Sequence, residues 1–348
     1  MRRPVFGASL GAVVVGALVL AGCSSSGSAG SGSSGSSGSG SAPVTVRLGL
    51  LANITHASAL IGIQKGFFSK NLGSAGKLTT TVYSSGTQET TAILAGQLDA
   101  AYVGPNPAIN AFQKSGGTAI KIISGAATGG ASVVVKPGVT SAADLKGKIV
   151  DTPSLGNTQD VAVRYWLKQN GLATTTTGGG DVTIKPTAPN SAAVLQFQSG
   201  QIAGASEPSP YDVEMVKDGG KVLFTEPGVT TVLVVTQTFL AAHPSIVSDL
   251  LKGQIEANDY IAKDTTAAEA SANAELTALS GKGIKSSVLP AAFKEITFTD
   301  DPDASTLSTD AQQAEAVGLL KSTSLSGIFD LGPLNQLLQA AGESQVNS

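Results

Sequence analysis

From residue 44 onward, short β-branched runs alternate with helix-length segments closed by glycine, and this alternation leaves few architectures open. Val44 to Leu51 reads as a strand, Ala57 to Lys65 as a helix stopped by Gly66, and Leu78 to Tyr83 as a second strand. Thr87 to Ala95 follows as a helix stopped by Gly96, then Ala100 to Val103 as a third strand. The pattern resumes with strands at Lys148 to Asp151, Val182 to Lys185, Gly204 to Ala205 and Val222 to Phe224. Helices at Thr158 to Gln169, Ser191 to Gln198 and Pro210 to Val216 separate them. Such interleaving predicts parallel sheets with helices on both faces and binding loops at the carboxyl ends of the strands. The folded part runs to roughly 300 residues, more than one hydrophobic core usually serves, so two doubly wound lobes are expected. Ala131 to Lys136 and Thr230 to Thr236 are β-branched and lie where the chain passes between the halves. They are expected to pair as two hinge strands, giving a first lobe of residues 44–130 plus 231–345 and a second of residues 131–230. Pro244 opens a long helix to about Lys263, where its missing N–H costs nothing. The Ala-, Leu- and Ser-rich remainder is expected to pack back on the first lobe.

The amino end reads differently. Met1-Arg2-Arg3 is a basic n-region, and Val5 to Ala21 is an apolar run punctuated by Gly7, Ser9, Gly11 and Gly16, too broken for a membrane span. It ends in Leu20-Ala21-Gly22-Cys23, which resembles the bacterial lipobox, with residues 1–22 removed and the Cys23 thiol taking a diacylglycerol. Cys23 is the sole cysteine, so an internal disulfide and a thiolate metal cluster are excluded. Ser24 to Ala42 contains eleven Ser, six Gly and two Ala, a flexible tether with a reach of about 25 Å. With Cys23, the tether occupies residues 23–43. These features place the protein on the extracytoplasmic face of the cell membrane, held by lipid.

Loss of Arg2 and Arg3 with the signal leaves 20 basic against 25 acidic side chains, taking the formal charge from −3 to −5. An acidic chain without a Lys/Arg run is not built for nucleic acid. Only Arg47 and Arg164 remain as arginines, so a bound anion must be held by other donors. Helix amino termini, with unpaired N–H groups and partial positive charge, can do this. Thr55 to Ala57, Gly86 to Gln88 and Gly156 to Gln159 are three candidates, bringing Thr55, His56, Gly86, Thr87, Gln88, Asn157, Thr158 and Gln159 forward as ligand-binding residues. The competing role for Thr55, Thr87 and Thr158 is helix capping. Glu207, beside prolines in a strand-to-helix turn, is assigned to the cleft lining, Trp166 to the core of its helix, and His243, ahead of Pro244, to structure.

Five segments, in order, carry a resemblance. They are Asn53-Ile54-Thr55-His56-Ala57 with Lys65-Gly66-Phe67-Phe68; Gly86-Thr87-Gln88; Gly96-Gln97-Leu98-Asp99-Ala100-Ala101-Tyr102-Val103-Gly104-Pro105; Asp144-Leu145-Lys146-Gly147-Lys148; and Glu207-Pro208 with Tyr211. Together they resemble the nitrate/taurine/aliphatic-sulfonate group of ABC-transporter substrate-binding proteins. The resemblance implies an α/β type II periplasmic-binding-protein fold and a monomeric receptor that delivers a small polar, anionic solute to a membrane permease. It needs no cofactor, metal or catalysis. It adds Asn53, Gly104, Pro105, Asn106 and Tyr211 to the ligand-binding set. In place of the aromatic residue common in the group before the acidic-Pro pair stands Ser206, which argues against a ligand stacked there. Alternatives are a pyrimidine, thiamine-precursor or other aromatic solute, an enzyme of the same fold using His56 and Glu207, and a lipoprotein that recognises a protein partner. No nucleophile elbow, zinc-binding HExxH or P-loop supports the enzyme.

Overall fold

The computed structural model describes residues 42–348, so the signal, Cys23 and almost all of the tether lie outside the described residues. Strands are β1 (Val44–Leu51), β2 (Gly76–Tyr83), β3 (Ala100–Val103), β4 (Ile120–Gly129), β5 (Ala131–Val135), β6 (Ile149–Thr152), β7 (Thr183–Pro186), β8 (Gly204–Pro208), β9 (Lys221–Thr225), β10 (Val229–Thr236) and β11 (Ile296–Phe298). In the first half the helices are α1 (Ala57–Gln64), α2 (Phe67–Leu72), α3 (Gly86–Leu94) and α4 (Pro105–Lys114). Next come α5 (Thr158–Gln169), α6 (Asn190–Gln198), α7 (Tyr211–Lys217) and α8 (Gln237–Ala242). The carboxyl-terminal helices are α9 (Pro244–Lys263), α10 (Thr265–Ser280), α11 (Leu289–Lys294), α12 (Ala304–Ala316) and α13 (Gly332–Ala341).

Two sheets form, in the orders β11-β4-β10-β3-β1-β2 and β7-β6-β8-β5-β9. Each is buried on both faces, as a doubly wound sheet must be. In the first, Tyr102 and Leu233 join one apolar cluster while Ala101, Val103, Val232 and Val234 join the opposite one. In the second, Val133 and Val135 face one way and Val134 the other. The sheets are not wholly parallel. β1 pairs parallel with β2 and β3, and β6 with β7 and β8, but β10 is antiparallel to β3 and β4, and β5 to β8 and β9. The antiparallel strands are those next to the crossings between sheets, where the chain runs back.

The two β-branched runs do not pair with each other. Ala131–Val135 lies within the second sheet and Val229–Thr236 within the first, and each is buried along its whole length. Their apolar character serves a central sheet position, which looks the same in sequence as a hinge strand. The crossings themselves are short, at Gly129–Ala131 and Thr225–Val229, and are tied by Gly129 N–H donating to Gly228 O at 2.8 Å. Helices α9, α10, α11 and α13 complete the apolar cluster on one face of the first sheet. α12 also meets α5 of the second lobe.

Candidate functional site

The amino ends of α3, α4, α5 and α6 converge, two from each lobe, together with the 3-10 turn Ile54–His56 that leads into α1. Between them lies a small polar cavity of about 20 Å³, lined by Leu51, Asn53, Thr55, His56, Ser85, Gly86, Gly104, Pro107, Pro153, Asn157, Thr158, Gln159, Asn190, Pro208 and Thr230. The helix ends bring partial positive charge to one point without a cationic side chain. Neither arginine lines it. Arg47 pairs with Asp99 at 2.6 Å, and Arg164 pairs with Asp160 at 2.9 Å inside the second lobe.

Asn53 is the cap of the 3-10 turn. Its Oδ1 accepts from Thr55 N–H at 3.0 Å and from Thr55 Oγ1 at 2.7 Å, and Thr231 Oγ1 donates to Thr55 Oγ1 at 3.1 Å. His56 Nδ1 accepts from Leu51 N–H at 3.3 Å. Burial lowers the imidazole pKa to about 3, so the ring is neutral with its proton on Nε2, a donor to the cavity. On the second lobe Asn157 caps α5, its Oδ1 accepting from Asp160 N–H at 2.9 Å while its Nδ2 donates to Gln159 Oε1 at 2.9 Å. That leaves the N–H donors Asn53 Nδ2, His56 Nε2 and Gln159 Nε2, and the Thr158 hydroxyl, on lining residues without a partner among the described residues.

The lobes meet in a closed arrangement. Thr87 Oγ1 lies 3.0 Å from Ser154 Oγ, Ser209 O accepts from Ile54 N–H at 3.0 Å, and Tyr211 Oη donates to Ala52 O at 2.9 Å. The lobes approach closely at Gly104, where a Cβ would stand 2.6 Å from Thr158 Oγ1 across the cleft.

Of the residues singled out in the sequence, Asn53, Thr55, His56, Gly86, Gly104, Asn157, Thr158 and Gln159 come together around the cavity. Thr87, Gln88, Pro105, Asn106, Glu207 and Tyr211 lie outside its lining. Thr87 joins the lobes at Ser154, and Gln88 N–H donates to the α3 cap Ser85. Pro105 opens α4, and Asn106 Nδ2 donates to Asp310 O at 3.2 Å. Glu207 Oε2 accepts from Asn190 Nδ2 at 2.7 Å, one layer behind the cavity, while Tyr211 faces a separate cleft beside Ala52 and Pro189. Burial raises the Glu207 carboxyl well above the usual range, with neighbouring Asp151 adding to it. The caps are Asn53, Ser85 and Asn157, not Thr55, Thr87 and Thr158, each of which sits one or two residues further on. Trp166 is only partly buried, stacks on Phe224 and lines a second cavity, so the core assignment is incomplete. Ser85, Asn190 and Thr230 were missed. Ser85 and Asn190 carried a readable signal, since each stands at a helix start.

Two α/β lobes closing on polar helix ends are the architecture of the type II periplasmic binding proteins. The chain belongs to the NMT1-like family, whose model matches residues 39–275. Its fold is similar to the alkanesulfonate-binding protein SsuA of Xanthomonas axonopodis pv. citri bound to MOPS, at 18% identity and TM-score 0.68, covering 82% of this chain and 96% of that one. The periplasmic nitrate-binding protein NrtA of Synechocystis PCC 6803 matches at 16% identity and TM-score 0.69, covering 86% and 89%. A mutant of DszB in complex with biphenyl-2-sulfinic acid matches at 16% identity and TM-score 0.61, covering 85% and 99%. No curated protein matches the sequence. Among the described residues no helix is long and apolar enough to cross a membrane, and no cluster of three His, Cys, Asp or Glu side chains could hold a metal ion.

Proposed function

We propose that this protein is the extracytoplasmic solute-binding component of an ABC importer, a monomer that closes residues 44–130 plus 231–345 against residues 131–230 around a small polar, anionic solute. The convergence of four helix amino termini and three neutral N–H donors from both lobes on one cavity carries this reading. Proteins of the same fold hold oxyanion groups: MOPS in SsuA, nitrate in NrtA and a sulfinate in DszB. Glu207 lies one layer back, bonded to Asn190, with burial pushing its carboxyl toward the uncharged form. Asn53, Thr55, His56, Asn157, Thr158 and Gln159 make the direct contacts, with Gly86 and Gly104 admitting the ligand to the backbone. Lipid on Cys23 keeps the receptor within reach of its permease.

Among the described residues no Phe, Tyr or Trp lines the cavity, which argues against an aromatic solute stacked there. A thermal-shift screen over sulfonates, nitrate and other oxyanions, thiamine precursors and pyrimidines tests the assignment. An oxyanion at 100 times its dissociation constant should add about 2.7 kcal/mol of stability. Stabilisation by a pyrimidine alone would overturn it, and consumption of any ligand would assign an enzyme instead.

A further inference from the structure

Beside the polar cavity lies a second one of about 270 Å³, walled by α5 of the second lobe, α12 of the first and the crossing at Pro227 and Gly228. Thr158 and Thr230 are shared by both walls. Its character is otherwise opposite. Trp166 and Phe224 stack with ring centroids 5.6 Å apart and planes within 16°, and Tyr165 adds a third ring to the lining. Glu226 and Asp310 bring two carboxyls, 4% and 9% exposed. Ser206 Oγ donates to Glu226 Oε1, but Glu226 Oε2 and Asp310 Oδ2 are buried with no partner among the described residues. No Lys, Arg or His stands among the lining residues.

Two desolvated carboxyls without a counter-charge are a costly arrangement, and aromatic faces attract cations. We propose that this cavity is a binding site for a monovalent organic cation, an alkyl- or arylammonium group, with Glu226 and Asp310 as its charge partners and Trp166 and Phe224 flanking its carbon skeleton. A divalent metal ion fits poorly, since among the lining residues only two carboxylates and no His or Cys stand ready to ligate it, against an aromatic wall. Burial raises the Glu226 carboxyl to about 7 and the Asp310 carboxyl to about 8, Glu226 contributing to the latter, as befits acids kept from any cation. The site shares Thr158 and Thr230 with the solute cavity, but its two carboxyls and its aromatic pair line only the second, so it does not require that reading to hold.

Benzylammonium and its neutral counterpart benzyl alcohol, titrated calorimetrically into the mature chain carrying Cys23→Ser, test the site. Benzylammonium should bind saturably and at least tenfold more tightly than benzyl alcohol. Glu226→Gln and Asp310→Asn, singly and together, should each weaken it, the double variant at least tenfold, and Trp166→Leu several-fold. Gln159→Ala, which touches only the polar cavity, should leave it unchanged while weakening the oxyanion found in the screen. Circular dichroism on each variant checks folding. Equal affinity for the alcohol and the ammonium, no binding of the ammonium, or full affinity in the folded double variant would overturn the proposal.

Discussion

Asp160 and Arg164 form an ion pair at 2.9 Å one helical turn apart, both side chains wholly buried, and the same carboxylate braces the loop that lines the cavity. Asp160 Oδ2 also accepts from Gly156 N–H at 2.9 Å, and Oδ1 from Thr152 Oγ1 at 3.0 Å, so the turn ahead of α5 is fixed from behind. Removing one partner strands a buried charge. Asp160→Ala should cost about 3–5 kcal/mol in chemical denaturation, and Asp160→Leu with Arg164→Met should recover only part of that, because Gly156 N–H and Thr152 Oγ1 stay without their acceptor. A loss under about 1 kcal/mol in the single variant would show that Arg164 reaches water.

Asn157 and Gln159 separate capping from recognition. Asn157→Ala removes a cap and should cost about 1 kcal/mol of stability as well as affinity. Gln159→Ala keeps the cap and should lower affinity roughly tenfold to a hundredfold, the range for one hydrogen bond to a charged ligand, with the ligand-free midpoint within a few degrees. Unchanged affinity in calorimetry would remove α5 from the site.

Gly104→Ala tests closure itself. The Gly104 backbone has no positive φ, so alanine is tolerated locally and the obstruction is Thr158 Oγ1 across the cleft. Affinity should fall at least tenfold while the ligand-free midpoint holds, and adding Thr158→Ala should restore much of it. A collapsed midpoint in the single variant would mean that the contact supports the fold.

Acidification should stabilise the protein. Burial raises the carboxyls of Asp151 and Glu226 to about 7 and Asp310 to about 8, and those of Glu89 and Glu207 well above the usual range. Each folded-state pKa lies above the unfolded value near 4, so the folded state binds more protons, and each group contributes up to about 1.4 kcal/mol per pH unit as pH falls from about 8 toward 5. His56 opposes this within the same window, since its depressed pKa favours the folded state above about 6.5 and that advantage is lost toward pH 3. The melting midpoint at pH 5 should exceed that at pH 8 by several degrees. A lower midpoint at pH 5 would show these carboxyls to be hydrated.

Helix and strand identities were legible where side chains speak to their own backbone. The strand Val44–Leu51, the helix Thr158–Gln169 and the helix Pro244–Lys263 were all read at their observed bounds. β4 was not, because after Ile120–Ile123 it continues as Ser-Gly-Ala-Ala-Thr-Gly, a composition that suggests a loop. Its small residues answer to tertiary packing: a Cβ at Gly125 would stand 2.2 Å from Asp301 O, where the chain ahead of α12 passes over the strand. The site divides the same way. Thr55, His56, Gly86, Asn157, Thr158 and Gln159 were read from helix starts and turns, while Ser85 and Asn190, also at helix starts, were not. Thr230 was read only as part of a β-branched run, and Glu207 lies one layer behind the cavity, since sequence does not say which side of a turn faces a neighbouring lobe.

The tie from Gly129 to Gly228 brings both crossings between the sheets to one place. The aromatic cavity includes Pro227 and Gly228 in its wall and therefore sits beside that tie. A cation held there by Glu226 and Asp310 would rest against the joint by which the chain returns from the second sheet to the first.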